Sequence, residues 1–118
     1  MKQWSICARD ANSDVEFLVV SADAVNEHLG FVTVVPVVPR TEDRRIYMNE
    51  AVVARKDRFS SENSTESIVM AHQLQTVRSG ELQEERGTIE QPETRRAILD
   101  ALEVQFNLRI TDPELQYR

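Results

Sequence analysis

The stretch "VEFLVVSADAVNEHLGFVTVVPVVP", residues 15–39, decides how this chain folds. Residues 15–21 form a strong β run, too continuous for a strand exposed on both faces. Ser21 stands where a helix N-cap would, its hydroxyl free to accept a backbone N–H. "ADAVNEHL" gives one or two helical turns, and Gly30 ends them. "FVTVVPVV" is then a second strand of this unit. Pro36 has no N–H for a ladder, so that strand is expected at a sheet edge or with a bulge.

Working outward, "WSICA" at residues 4–8 alternates, placing Trp4, Ile6 and Ala8 on one side. "RDANSD" is rich in turn formers. "RRIYMNEAVVA" reads as a fourth strand, with Ile46, Met48 and the 51–53 run facing inward. "KDRFSSENSTES" is polar and fits an exposed connection. "SIVMAHQLQTV", residues 67–77, reads as one fifth strand, with Ile68, Met70, His72, Leu74 and Thr76 on one face. "RSGEL" is a turn and "RGTIEQ" a short strand. Pro92 opens a helix, where its missing N–H costs nothing, and Glu93 suits the positive helix end. Ile98, Ala101, Leu102 and Phe106 recur at helical spacing as its apolar face. The expected class is therefore mainly β with helices (α+β). Its expected form is a small antiparallel sheet, closing as a barrel, with a C-terminal helix packed on it. One domain spans residues 1–108, and the polar residues 109–118 form a tail.

Composition bounds the rest. A chain of 118 residues is one domain by size. A single cysteine, Cys7, excludes an internal disulfide, cannot make a zinc site alone and fits a reducing compartment. No apolar run approaches the ~20 residues of a membrane span, and no secretory signal is visible. A cytoplasmic protein without membrane association is expected. The net charge of −6 argues against general nucleic-acid binding. Residues 40–58 differ: Arg40, Arg44, Arg45, Arg55, Lys56 and Arg58 face Glu42, Asp43, Glu50 and Asp57. Six positive and four negative charges leave that segment at +2 and the remainder at −8. Such a patch can meet phosphates locally, or be a solvated mixed-charge loop.

No glycine-rich phosphate loop is present, and the chain has three glycines. Cys7 with His28 or His72 is a conceivable nucleophile pair, against the plainer reading of a structural thiol. His72 can act as acid or base near neutrality, or be a hydrogen-bonded structural side chain. No cofactor or metal is implied.

Four segments in order resemble the MazF/PemK toxins of type II toxin–antitoxin systems. "LVVSADAVN" is similar to their "LVVSNDxxN", and "VTVVPVV" to their next strand, which runs into "VxPITS". "SIVMAHQLQTVRSGEL" resembles "VVLxDQIRTVDKSRL". "RGTIEQPETRRAILDALEVQFNL" resembles their terminal strand and helix. The resemblance implies a small SH3-like barrel with a C-terminal helix, a homodimer and a cognate antitoxin as partner. It also implies a metal-independent, sequence-specific endoribonuclease (mRNA interferase) that attacks through the ribose 2′-hydroxyl. That chemistry needs a base, an acid and donors for the phosphorane charge.

The sequence departs from the nuclease pattern at its chemistry. The family's Arg-Pro before "LVVS" falls on Val15 and Glu16. Its Thr or Ser after "VxPI" falls on Val38 and Pro39, neither of which has a side-chain donor. Its long loop between the first two strands is shortened to "RDANSD". The candidate replacements are Arg40, Thr41 and His72 as catalytic groups, with Arg44, Arg45, Gln73 and Arg9 binding substrate RNA. The alternative is a CcdB-like toxin that cuts nothing and binds DNA gyrase or another protein, although the Trp-Gly-Ile ending of those proteins is absent. An inert relative kept as an antitoxin-binding partner is a third possibility.

Overall fold

Eight of the nine residues of β3, Phe31–Pro39, are Phe, Val or Pro, and this strand organises the sheet. The structure is a computed structural model that describes residues 2–41, 43–54 and 66–107. The other strands are β1 (Ser5–Ala8), β2 (Glu16–Val19), β4 (Glu50–Val53), β5 (Ser67–Met70), β6 (Gln75–Arg78) and β7 (Glu84–Thr88). All pairings are antiparallel, in the order β4-β5-β3-β2-β1-β7, with β6 also on β3. Helix α1 is Asp23–Leu29 and helix α2 is Pro92–Phe106. The expected mainly β architecture with a C-terminal helix is present. The sheet, however, ends in β4 and β7 and does not close into a barrel.

Pro36 lies inside the central strand, contrary to the edge or bulge expected for it. Its register with β2 is unbroken, Pro36 opposite Phe17. The N–H of Val20 donates to Thr33 O, so odd residues of β3 turn their polar groups toward β2. Even residues turn theirs to the other edge, where β6 pairs Phe31 to Val34 and β5 pairs Val37 to Pro39. The missing N–H of Pro36 therefore falls in the gap between two partner strands, where no ladder bond is due. The same gap corrects the reading of residues 67–77 as one strand. Ala71–Gln73 form a 3-10 turn that splits it into β5 and β6, so His72 sits in that turn and not mid-strand.

Alternation along the strands feeds two cores. Val35 and Val37 join Ile6, Leu18, Val53 and Val69 beneath Ile98 and Ala101 of α2. Val32 and Val34 join Cys7, Phe17 and Val19 on the other face, closed by Leu82. Cys7 is thus buried, opposite in side to Ile6. Phe106 is not part of the buried α2 face, being 47% exposed. Pro92 opens α2 as expected, and Gly30 ends α1 in the left-handed region at φ 68°. The α1 cap is Ala22 rather than Ser21. The Ser21 hydroxyl instead donates to Asn26 Oδ1 and accepts the N–H of Thr33, tying α1 to β3.

The fourth strand is shorter than expected. β3 and β4 both run antiparallel to β5, so they are parallel to each other. Residues 40–49 must carry the chain back across β5 and cannot extend β4. Met48 accordingly is 81% exposed, not inward. The polar connection expected near residues 56–67 and the tail at 109–118 fall largely or wholly outside the described residues.

Candidate functional site

The crossover segment is fastened at Glu50. Ala51 and Val53 face the α2 core, so alternation sends the Glu50 side chain to the opposite face. It is 1% exposed there. A buried carboxylate needs donors for its charge. Glu50 receives both terminal nitrogens of Arg44, one at 3.0 Å, and the N–H of Tyr47 at 3.0 Å. Arg44 also donates to Arg45 O, and its N–H reaches Thr41 O at 3.1 Å. The hydrogen bonds from Arg44 hold the Glu50 carboxyl below the usual range, helped by the Tyr47 N–H and the charges of Arg44 and His72. The same hydrogen bond raises the Arg44 guanidinium further above its ordinary value.

His72 stands beside this cluster, since Glu50 pairs with Met70, two residues before it. It is exposed, and Gln73 Nε2 lies 3.3 Å from its Nε2. The two side chains are thus within hydrogen-bond distance of each other at the surface. Arg45 lies over the Tyr47 ring, 5.9 Å from its centre. The structure thus gathers Arg44, His72 and Gln73 at one end of β5.

Arg40 and Thr41 lie at the other end. The Arg40 N–H donates to Glu66 O at 2.9 Å, and its side chain pairs with Glu66 Oε1 at 3.0 Å. From Glu66 to Met70 the strand runs about 13 Å. Arg40 and His72 are not brought together within one protomer. Arg9 is at the Arg40 end, because β1 ends where β2 begins and Glu16 pairs with Val37. It is two strands away from Arg40, about 10 Å across the sheet.

Sequence reasoning missed Glu50 and Arg86. Glu50 stood in a patterned strand with no local sign of its partner. Arg86 is the extra residue of a bulge, between Gly87 opposite Ile6 and Glu85 opposite Cys7. Its guanidinium donates to Asp10 O at 3.1 Å and Ala11 O at 3.3 Å and lies 3.8 Å from Glu16. It fastens the turn between β1 and β2. Cys7 is no nucleophile here: burial, then Glu85, pushes its thiol up to about 11. No group of metal-binding side chains occurs among the described residues. No described helix is long and apolar enough to cross a membrane.

Comparison with known proteins agrees with this architecture. The model of the PemK-like, MazF-like toxins of type II toxin–antitoxin systems matches residues 12–106. Among solved structures, a mycobacterial endoribonuclease in complex with its cognate antitoxin superposes with TM-score 0.70 at 23% identity, covering 92% of this chain and 97% of that one. The Mycobacterium tuberculosis toxin MazF-mt6 follows at TM-score 0.69 and 22% identity, covering 89% and 98%. A MazE-MazF structure from Deinococcus radiodurans gives TM-score 0.65 at 14% identity, covering 91% and 96%. No curated protein matches the chain in sequence.

Proposed function

The chain belongs to the PemK-like, MazF-like toxins of type II toxin–antitoxin systems, and on that premise we propose that it is a metal-independent endoribonuclease with a relocated site. The observation that carries this reading is the pair of basic clusters flanking β5. Arg40 and Thr41 lie directly after Val38 and Pro39, where the family pattern has its hydroxyl, and would meet the phosphorane charge. Arg9 would hold RNA from the same end. His72 is the member of the set able to carry a proton near neutrality. Gln73, Arg44 and Arg45 would bind RNA beside it.

The separation of the clusters adds a condition. One phosphate cannot touch Arg40 and His72 across about 13 Å of strand. The reading therefore takes the protein as a homodimer, in which the Arg40 end of one copy meets the His72 end of the other. This predicts complementation in trans: Arg40→Ala and His72→Ala, each inactive alone, regain part of the activity when mixed. Cleavage would leave 2′,3′-cyclic phosphate ends, as attack by the 2′-hydroxyl requires. Ends of another kind, or mixtures as inactive as each variant, would overturn this assignment.

A second reading has its own support. Arg40 and Arg44 are both engaged by carboxylates, and Glu16 is an anion where the family pattern has its cation. A toxin that binds gyrase or another protein and cuts nothing fits those observations. A cognate antitoxin is the expected partner in either case, as for the neighbours solved with theirs.

A further inference from the structure

At the end of β1 remote from Arg9 the surface opens into a cleft of about 370 Å³, whose lining includes Lys2, Trp4, Ser5, Glu85, Thr88 and Arg95. We propose that this cleft takes a nucleotide, with Lys2 and Arg95 on its phosphate. The phosphate chemistry can come from a free mononucleotide or from one unit of a single-stranded RNA; the second source rests on the endoribonuclease reading.

The cleft is rich in unused donors. Arg95 spends Nε on Ile89 O at 2.7 Å, and its guanidinium lies over the Trp4 ring, 5.3 Å from the centre. Among the described residues neither Arg95 nor Lys2 has an ion-pair partner. Ser5 is 4% exposed, yet its hydroxyl has no hydrogen-bond partner among the described residues. A buried hydroxyl lining a cleft without a partner is uncommon and points to a ligand acceptor. Thr88, opposite Ser5 in the sheet, adds a second hydroxyl.

The acidic side chains refine the ligand. Asp23 Oδ1 already accepts the Gln3 N–H at 2.7 Å, fixing the rim. Its other oxygen and Glu85 are acceptors. A ligand with both an anionic group and amino or imino donors satisfies this set, and a nucleotide has both: phosphate oxygens and a base edge. The walls are held firmly. Trp4 has φ 74°, a left-handed conformation costly for an aromatic residue. Its N–H donates to Val19 O at 2.8 Å, and its carbonyl accepts the N–H of Ile89 at 2.9 Å. From Trp4 to Arg9 β1 runs about 17 Å, so this nucleotide is not the one at Arg40.

Trp4 is the single tryptophan, so its fluorescence reports the cleft alone. The full chain would be titrated with inorganic phosphate, a nucleoside 5′-monophosphate, a 2′-O-methyl RNA oligomer that cannot be cut by its own 2′-oxygen, and a polyglutamate peptide. The expected result is a saturable change with the monophosphate, the oligomer or both. Lys2→Gln, at an exposed position, should weaken it about 3- to 10-fold and lower the salt slope of oligomer binding by about 0.7. Arg95→Gln should weaken it further. A response to the monophosphate but not the oligomer assigns the free nucleotide; the converse assigns the strand. No response to either, a response to polyglutamate alone, or binding unchanged in a folded Lys2→Gln protein would overturn the proposal. Because the assay reads binding, an absence of RNA cleavage leaves it standing.

Discussion

Replacing Glu50 by Gln isolates what holds the crossover. The shape is kept and the charge removed. Gln can still accept the Tyr47 N–H or one Arg44 nitrogen, but its own NH2 then faces a guanidinium. Hydrogen bonds to charged groups contribute about 1.5–3 kcal/mol each, and breaking a fully buried ion pair costs about 3–5 kcal/mol. The Arg44 side chain is 24% exposed, so water takes over part of the lost interaction. The expected destabilisation from Glu50→Gln is about 2–3 kcal/mol, a Tm lower by roughly 8–12 °C in a domain of this size. The pH dependence has a definite sign. The folded Glu50 carboxyl lies below its unfolded value. Its contribution is therefore complete above the unfolded value and is lost as pH falls through the folded one. Urea unfolding of both proteins at pH 7 and at pH 3 measures this. The gap between them should be full at pH 7 and narrower at pH 3. Equal stabilities at pH 7, or a gap that widens in acid, would refute the reasoning.

Other perturbations test the fold. Ile98→Ala removes three carbons from a site with no exposure, and should cost about 3–4 kcal/mol in urea unfolding. Leu99→Ala, next to it but 38% exposed, should cost less than about 1 kcal/mol. Gly30→Ala puts a Cβ where nothing lies within 4 Å. Only the left-handed strain at φ 68° remains, about 1 kcal/mol by thermal unfolding. The Cys7 thiol, pushed up to about 11 and fully buried, should react with a thiol reagent at pH 8 at least ~100-fold slower in the folded than in the unfolded chain.

Much of the architecture was legible because its signals are local. The Phe-Leu-Val run of β2, the α1 segment closed by Gly30 and the Pro92 start of α2 each carry their own chemistry. The failures share a cause in tertiary pairing. Pro36 looked disqualified from a central strand, yet a break between two partner strands accepts it. His72 fitted an alternating pattern that runs unbroken through a 3-10 turn. Residues 44–49 carry strand-like Ile and Tyr but are spent on a crossover dictated by the order of β3, β5 and β4. Of the candidate site, the residue types were visible and the grouping was not. Arg44, His72 and Gln73 do gather, around a buried Glu50 that sequence pattern cannot distinguish from a surface acid. Arg40 and Thr41 lie apart from them, because β5 stands between.

The most direct test of the central claim is RNA cleavage. Folded wild type, Arg40→Ala and His72→Ala would be incubated in EDTA with a long, mixed-sequence transcript. The account predicts discrete cuts by wild type that both substitutions abolish. A folded wild type that leaves the transcript whole would contradict it and turn the search to a protein target.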